Sequence, residues 1–374
     1  MVSFAIVIPN LNQSHFLASA LESLRHQSVP FELAVMDGGS SDGFHRIIEP
    51  YRDIITHVRS GPDSGQAAAI REGIEHISGD IIAWLNADDY YFPGALDKVA
   101  SYFENAPELD VVYGDAIHVS PEGFFLMYFP AIQAYNAKAL PGSCFICQPA
   151  CFARRRAYEK TGGIDSTLNY TMDWDLWCRL SKEGANFRYF NDVLVAVRYH
   201  PDTKTLSRDR KRYREIYVIA EKYGRRYLPL SLLGFYYFDL SAKAVRSIPE
   251  NIAFLALRFL RYLKKRFFAI FCIKSERNSN LYGFRRWESR AEGRCTIQMP
   301  WYEKQDWKRL RLDVYPKNAE YRIIINDDNE VVSSAVQGYL LIDMPDIDQP
   351  YRKISIECLS SFKWKLLKFS CEFK

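Results

Sequence analysis

Apolar and polar positions follow two rhythms along the first part of the chain. Short, almost wholly apolar runs at 4–8, 33–36, 54–58, 81–85 and 111–113 are bounded by turn residues. Such runs read as buried strands. The stretches between them carry apolar residues at helical spacing. Over 14–27, Phe16, Leu17, Ala20, Leu21 and Leu24 share one face, and further helices are predicted over 42–51, 65–77 and 93–103. The last has proline near its start, where a missing N–H costs nothing. Strand and helix in alternation predict right-handed crossovers and a parallel sheet covered on both faces.

From 116 to 205 the pattern is less regular. A hairpin is predicted over 118–129, turning at Pro121-Glu122-Gly123. A loop about Pro141-Gly142, a helix over 173–183 and a strand over 194–199 follow. Residues 204–274 are helical in pattern, aromatic and basic, most strongly at 252–273. Beyond 280, strands are predicted at 310–314, 321–326, 338–342 and 354–358. Asn326-Asp327-Asp328-Asn329 supplies a turn between two of them. This acidic cluster suits a hairpin loop or a calcium ion. The expected division is an α/β domain over 1–205, a basic aromatic helical region over 206–279 and a small β-rich domain over 280–374.

Composition adds three constraints. With 374 residues, 48% hydrophobic and 25% charged, the chain is long enough for a large core with an appendage. The net charge of +4 is small overall, but basic residues gather after 204. Arg258, Arg261 and Lys265 fall on one helical stripe. That stripe reads either as a membrane-surface face or as the solvated side of a docked helix. The eight cysteines show no disulfide framework, which points to a reducing compartment. Cys144, Cys147 and Cys151 lie close together but lack a fourth ligand, so buried thiols are expected there rather than zinc. The amino terminus has no basic start and no long apolar stretch, and reads as a strand rather than a signal peptide. No run has the uninterrupted length of a membrane span.

Candidate chemistry sits just past strand ends, where open α/β sheets bind ligands. In Asp37-Gly38-Gly39-Ser40-Ser41-Asp42-Gly43, glycines let backbone approach a ligand, and a carboxylate can accept from a base or ribose. The same residues could simply cap a strand-to-helix turn. Asn86-Ala87-Asp88-Asp89 offers three oxygen-bearing side chains in four residues, suited to Mg²⁺ or Mn²⁺ shared with phosphates and water, or to capping. In Met172-Asp173-Trp174-Asp175-Leu176-Trp177, Asp173 opens a helix, as an N-cap or as a catalytic carboxylate.

Taken in order, these segments resemble the family-2 glycosyltransferases over about residues 3 to 205. Ile6-Val7-Ile8-Pro9-Asn10-Leu11-Asn12-Gln13 is similar to the family's opening strand and turn, and the Asp37 turn to its nucleotide turn. Gly61 to Gly73 resembles the helix before its metal strand, and Asn86-Ala87-Asp88 stands where the family has D-x-D. Gln148 to Arg154, with Gly162-Gly163-Ile164-Asp165, resembles the acceptor-side segment. Met172 to Trp177 resembles the E-D pair and its helix, and Arg198-Tyr199-His200-Pro201 the closing strand. Two departures stand out: Asn86 is a neutral first member of D-x-D, and Met172 replaces an acid, leaving Asp173 with Asp175 as a stand-in.

The resemblance implies a glycosyltransferase A-type fold and an inverting transfer from a nucleotide-diphosphate sugar, a UDP-sugar being the favoured donor. Nucleotide contacts would come from Pro9, Asn10, Leu11, Asn12, Asp37, Gly38, Gly65, Gln66, Asn86 and Ala87. Asp88, Asp89 and His200 would hold the metal, although His200 also suits a core position. Asp173 would be the general base, and Gln148, Asp165, Trp174 and Trp177 would face the acceptor. The acceptor would be a glycan or lipid-linked hydroxyl in surface polysaccharide biosynthesis, with a polyprenyl phosphate or a silent sugar-nucleotide-binding module as competing readings. A cytoplasmic protein peripheral on the inner membrane face is expected, without nucleic acid and with oligomerisation open.

Overall fold

A computed structural model describes residues 2–224, apart from 122, 124, 130–131, 201–202 and 205–208, and most of the strands between 280 and 373. The basic stretch expected at 252–273 lies outside the described residues.

In chain order the first part contains β1 (Phe4–Asn10), α1 (Ser14–Arg25), β2 (Phe31–Asp37), α2 (Phe44–Ile48), β3 (His57–Ser60), α3 (Gln66–Glu75), β4 (Ile81–Trp84) and β5 (Tyr90–Tyr91). It continues with α4 (Ala95–Asn105), β6 (Val111–Val119), β7 (Phe125–Tyr128), β8 (Cys151–Arg154), α5 (Arg155–Lys160), α6 (Met172–Lys182), β9 (Phe187–Arg198) and α7 (Arg210–Gly224). One sheet runs β3-β2-β1-β4-β8-β6-β9-β5, with β7 also paired to β6. The predicted face of α1 is buried as expected, and Phe4 to Ile8 of β1 are fully buried. Each such aliphatic side chain contributes roughly 1.5–3 kcal/mol by leaving water. Helix α3 lies so close to β1 that a Cβ at Gly73 would stand 2.7 Å from Val7 Cγ1, so only glycine fits there.

The sheet is not wholly parallel, which corrects the sequence expectation. β3, β2, β1 and β4 run parallel. β8 then lies antiparallel between β4 and β6, while β9 returns parallel to β6. The β6–β7 hairpin forms where predicted. The third strand lies later than expected, at His57–Ser60, because Ile54 still closes a turn onto Tyr51 O at 3.1 Å.

The four expected C-terminal strands are present within Trp307–Tyr315, Glu320–Ile325, Tyr339–Asp343 and Lys353–Cys358. They belong to antiparallel sheets in which Tyr321, Ile323, Ile325, Leu340 and Ile356 are fully buried. Ile325 pairs with Asn329, as the hairpin reading of that acidic cluster requires.

Candidate active site

Parallel pairing brings Asn10 opposite Asp37 and carries β4 alongside β1, so three strand ends share one edge. Pairing of β1 with β4 stops at Val7–Trp84. Pro9 therefore lies beyond the doubly paired part of β1, where a residue without an N–H is tolerated. The Asp37 carboxylate is fully buried and accepts five hydrogen bonds, from Asn10 Nδ2, Ser40 Oγ, Ser60 Oγ and the backbone N–H groups of Gly39 and Ser40. Burial works to raise its pKa, but the bonds from Ser40, Ser60 and Asn10 outweigh it and hold the carboxyl below its usual value. With about four lone-pair sites, the carboxylate is largely engaged by its own turn. What the turn offers instead is the Oδ1 of buried Asn10, which has no partner among the described residues. Beside it, Leu11 is 57% exposed, and Asn12 adopts φ 52° while accepting from Ser41 N at 3.0 Å.

The second turn is knit by amides. Gln66 Nε2 donates to Asn86 Oδ1 at 2.8 Å. Asn86 Nδ2 in turn donates to Asp89 Oδ2 at 3.0 Å and Gln148 Oε1 at 3.3 Å. Gln148 Nε2 closes the chain on Trp84 O at 2.7 Å. Gly65, at φ 105° and ψ 172°, precedes α3 and donates its N–H to Asp63 at 2.8 Å. Ala87 is fully buried and has no side-chain surface for a ligand.

Asp88 and Asp89 have different environments. Asp88 Oδ2 lies 2.9 Å from His200 Nε2. Asp89 instead accepts the backbone N–H of Arg198 at 3.0 Å and the Asn86 amide, and burial and then the Asp88 charge push its pKa well up. Asp89 thus serves as a buried tie from the loop after β4 to the end of β9. Arg198, not singled out by sequence, completes that tie: its Nε donates to Asp88 O at 3.0 Å, and its guanidinium lies over Phe16 and Tyr90. No group of three His, Cys, Asp or Glu side chains able to hold a metal occurs among the described residues. Asp88 and His200 nevertheless suit a divalent cation. Their 2.9 Å separation matches adjacent corners of an octahedron with bonds of about 2.1 Å, and a carboxylate with an imidazole is a common donor pair for such ions.

Asp173 stands in the first turn of α6 and accepts the backbone N–H of Trp174 at 2.8 Å. It keeps a partial opening to solvent, yet burial pushes its carboxyl up to about 6. Hydrogen bonding from the backbone lowers it, and the Glu215 charge raises it further. Trp177 of α6 stacks on Trp84 at the end of β4, with ring centroids 5.8 Å apart, which brings α6 alongside the strand that leads into the Asn86–Asp89 turn. Cys144, Cys147 and Cys151 are free thiols with pKa values raised by burial, in line with the buried-thiol reading.

The acceptor-side assignments need three corrections. Trp174 is 3% exposed and donates Nε1–H to Leu140 O, and Trp177 is 1% exposed and stacked on Trp84, so both rings belong to the core. Asp165 caps its own turn through Thr167 N and Oγ1. Asp175 cannot stand in for Asp173, because it is buried and bonded to Arg179, Lys222 and Tyr223. Gln148 remains at the cleft.

Residues 5–162 match the model described as Glycosyl transferase family 2. An uncharacterized glycosyltransferase of Rickettsia typhi is 26% identical over 204 residues, covering 52% of this chain and 64% of its own length. The chain therefore spans under two thirds of that relative. A PGL/p-HBAD biosynthesis glycosyltransferase of Mycobacterium tuberculosis is 29% identical over 201 residues, 52% of this chain and 73% of that protein. The structure of S. aureus TarS 1–349 with UDP-GlcNAc superimposes with a TM-score of 0.49 at 16% identity, covering 60% of this chain and 68% of that one.

Proposed function

We propose that the chain is an inverting glycosyltransferase that moves a sugar from a nucleoside-diphosphate donor, a UDP-sugar first, to a hydroxyl of a glycan or lipid-linked acceptor. The observation that carries this reading is Asp173, a partly open carboxyl raised to about 6 in the first turn of the helix whose Trp177 stacks on Trp84, at the end of the strand leading into the Asn86–Asp89 turn. A base of that pKa is ionised at neutral pH and still strong enough to take a proton.

In this reading the acceptor oxygen attacks the anomeric carbon on the face opposite the diphosphate. Asp173 takes the hydroxyl proton as the new C–O bond forms, and the electrons of the breaking C–O bond pass to the diphosphate. Such proton transfer contributes roughly 10²–10⁴-fold. Asp88 and His200 would hold a divalent cation, which supplies positive charge for the departing diphosphate. Asn10 and Leu11 line the nucleotide side, and Gln66, Asn86 and Gln148 fix the turn that carries Asp88. No helix among the described residues is long and apolar enough to cross a membrane. A role in surface glycan synthesis at the inner membrane face would rest on the basic stretch after 224, since each Lys or Arg near an anionic surface gains about 1 kcal/mol.

The test is a thermal-shift screen of UDP-, GDP-, CMP- and dTDP-sugars with and without Mn²⁺, followed by assay of nucleoside-diphosphate release. One nucleotide class should stabilise the protein in a metal-dependent way, and Asp173→Asn should abolish release while retaining the shift. Binding without turnover by any donor would favour a silent sugar-nucleotide module instead.

A further inference from the structure

Helix α7 lies beyond the family match, yet it grips α6 on both sides of Asp173. The Glu215 carboxylate collects three consecutive backbone N–H groups, those of Asn169 at 3.1 Å, Tyr170 at 2.8 Å and Thr171 at 3.0 Å. It also accepts the Thr171 hydroxyl at 3.1 Å. Thr171 is the N-cap residue of α6, but it makes no side-chain cap bond to its own helix. A carboxylate from another helix thus takes up the hydroxyl that would ordinarily cap α6. On the far side of Asp173, Asp175 binds Lys222 Nζ at 3.2 Å and Tyr223 OH at 2.7 Å. Positions 215 and 222 are two helical turns apart and share one face of α7. Tyr170 OH adds a bond to Asp209, just before α7, at 2.9 Å.

We propose that Glu215 is a positioning residue for Asp173: by gathering the strand of amides before α6 it fixes the turn on which the proton acceptor stands. The proposal rests on the reading of Asp173 as that acceptor. Glu215 also places a negative charge near Asp173, which helps keep the base from being too weak. The other titratable groups acting with Asp173 are the thiols of Cys144, Cys147, Cys151 and Cys178, all neutral because burial raises them. The Glu215 charge adds to burial in raising the Asp173 carboxyl.

Carboxyl NMR of protein labelled with ¹³C-aspartate tests this without any substrate, the Asp173 resonance being the one lost in Asp173→Asn. Its midpoint should lie near 6 in the unaltered chain and fall by at least ~0.5 unit in Glu215→Gln. Hydrogen exchange at the amides of 169–171 should quicken about tenfold in the same variant. Glu215→Asp keeps the charge on a shorter arm, so it should quicken exchange while leaving the midpoint nearer 6. If Glu215→Gln does not fold, Thr171→Val removes one of the four bonds and should quicken exchange more modestly. An unmoved midpoint with unchanged exchange in these variants overturns the proposal. Release of nucleoside diphosphate at the full rate by Asp173→Asn would instead overturn the base assignment, whatever the titration shows.

Discussion

His200 and Asp88, 112 residues apart in sequence, meet with Nε2 and Oδ2 separated by 2.9 Å. The meeting is set up from both sides. Arg198 ties the Asp88 carbonyl and the Asp89 carboxylate to the end of β9, and Thr203 Oγ1 accepts the His200 N–H at 3.1 Å. Asp88→Ala should remove the Mn²⁺-dependent part of donor binding, and His200→Ala should weaken apparent Mn²⁺ affinity by ~10–100-fold. Isothermal titration with Mn²⁺ in the presence of the stabilising nucleotide checks both. Unaltered Mn²⁺ affinity in both variants would remove the cation from this pair.

Asp173 should lower stability at neutral pH. Its carboxyl has an ordinary value of 3.8 and is pushed up to about 6 in the fold. Between these values the native state binds more protons than the unfolded one, so stability falls as pH rises through the window and the full cost is present above it. Asp173→Asn removes the charge, so the melting temperature should rise at pH 8 and stay nearly unchanged at pH 4. Two pKa units set an upper limit of about 3 kcal/mol, less whatever the partial solvent opening relieves. Turnover of the unaltered enzyme should decline as pH drops below about 6. Equal melting shifts at both pH values would contradict this account.

Asp37 has the opposite sign. Hydrogen bonds hold its folded pKa below 3.8 despite burial, so it stabilises the fold above that value and loses the effect as pH falls through the folded pKa. Asp37→Asn turns an amide NH₂ toward donors that need an acceptor. A loss of about 2–4 kcal/mol at pH 7 is expected, shrinking toward pH 3, together with loss of the nucleotide-induced thermal shift. Urea denaturation at the two pH values measures it.

The parts legible in the sequence are those whose signal is local. β1, α1, β2, α3 and β4 each carry a continuous buried run or a single apolar face, and the Asp37, Asn86 and Asp173 turns announce themselves by residue type at strand or helix ends. β8 escaped because Cys151–Arg154 is short and buried, with no alternation to mark a strand, and it reverses direction between β4 and β6. The roles of Arg198 and Glu215 were invisible because their partners lie 109–110 and 44–46 residues away. Trp174 and Trp177 misled for a related reason: an aromatic in the first turns of a helix suits a sugar platform or a core, and only tertiary packing decides.

The reversed strand β8 also limits how this enzyme can move. Its ladder bonds fasten the parallel strands β3, β2, β1 and β4 to β6 and, through β6, to β9. A hinge between donor and acceptor halves would have to tear that ladder. Under the proposed function, opening for a donor and exit of a spent nucleotide would fall to the connecting loops at the strand ends, with the sheet between them held by that ladder.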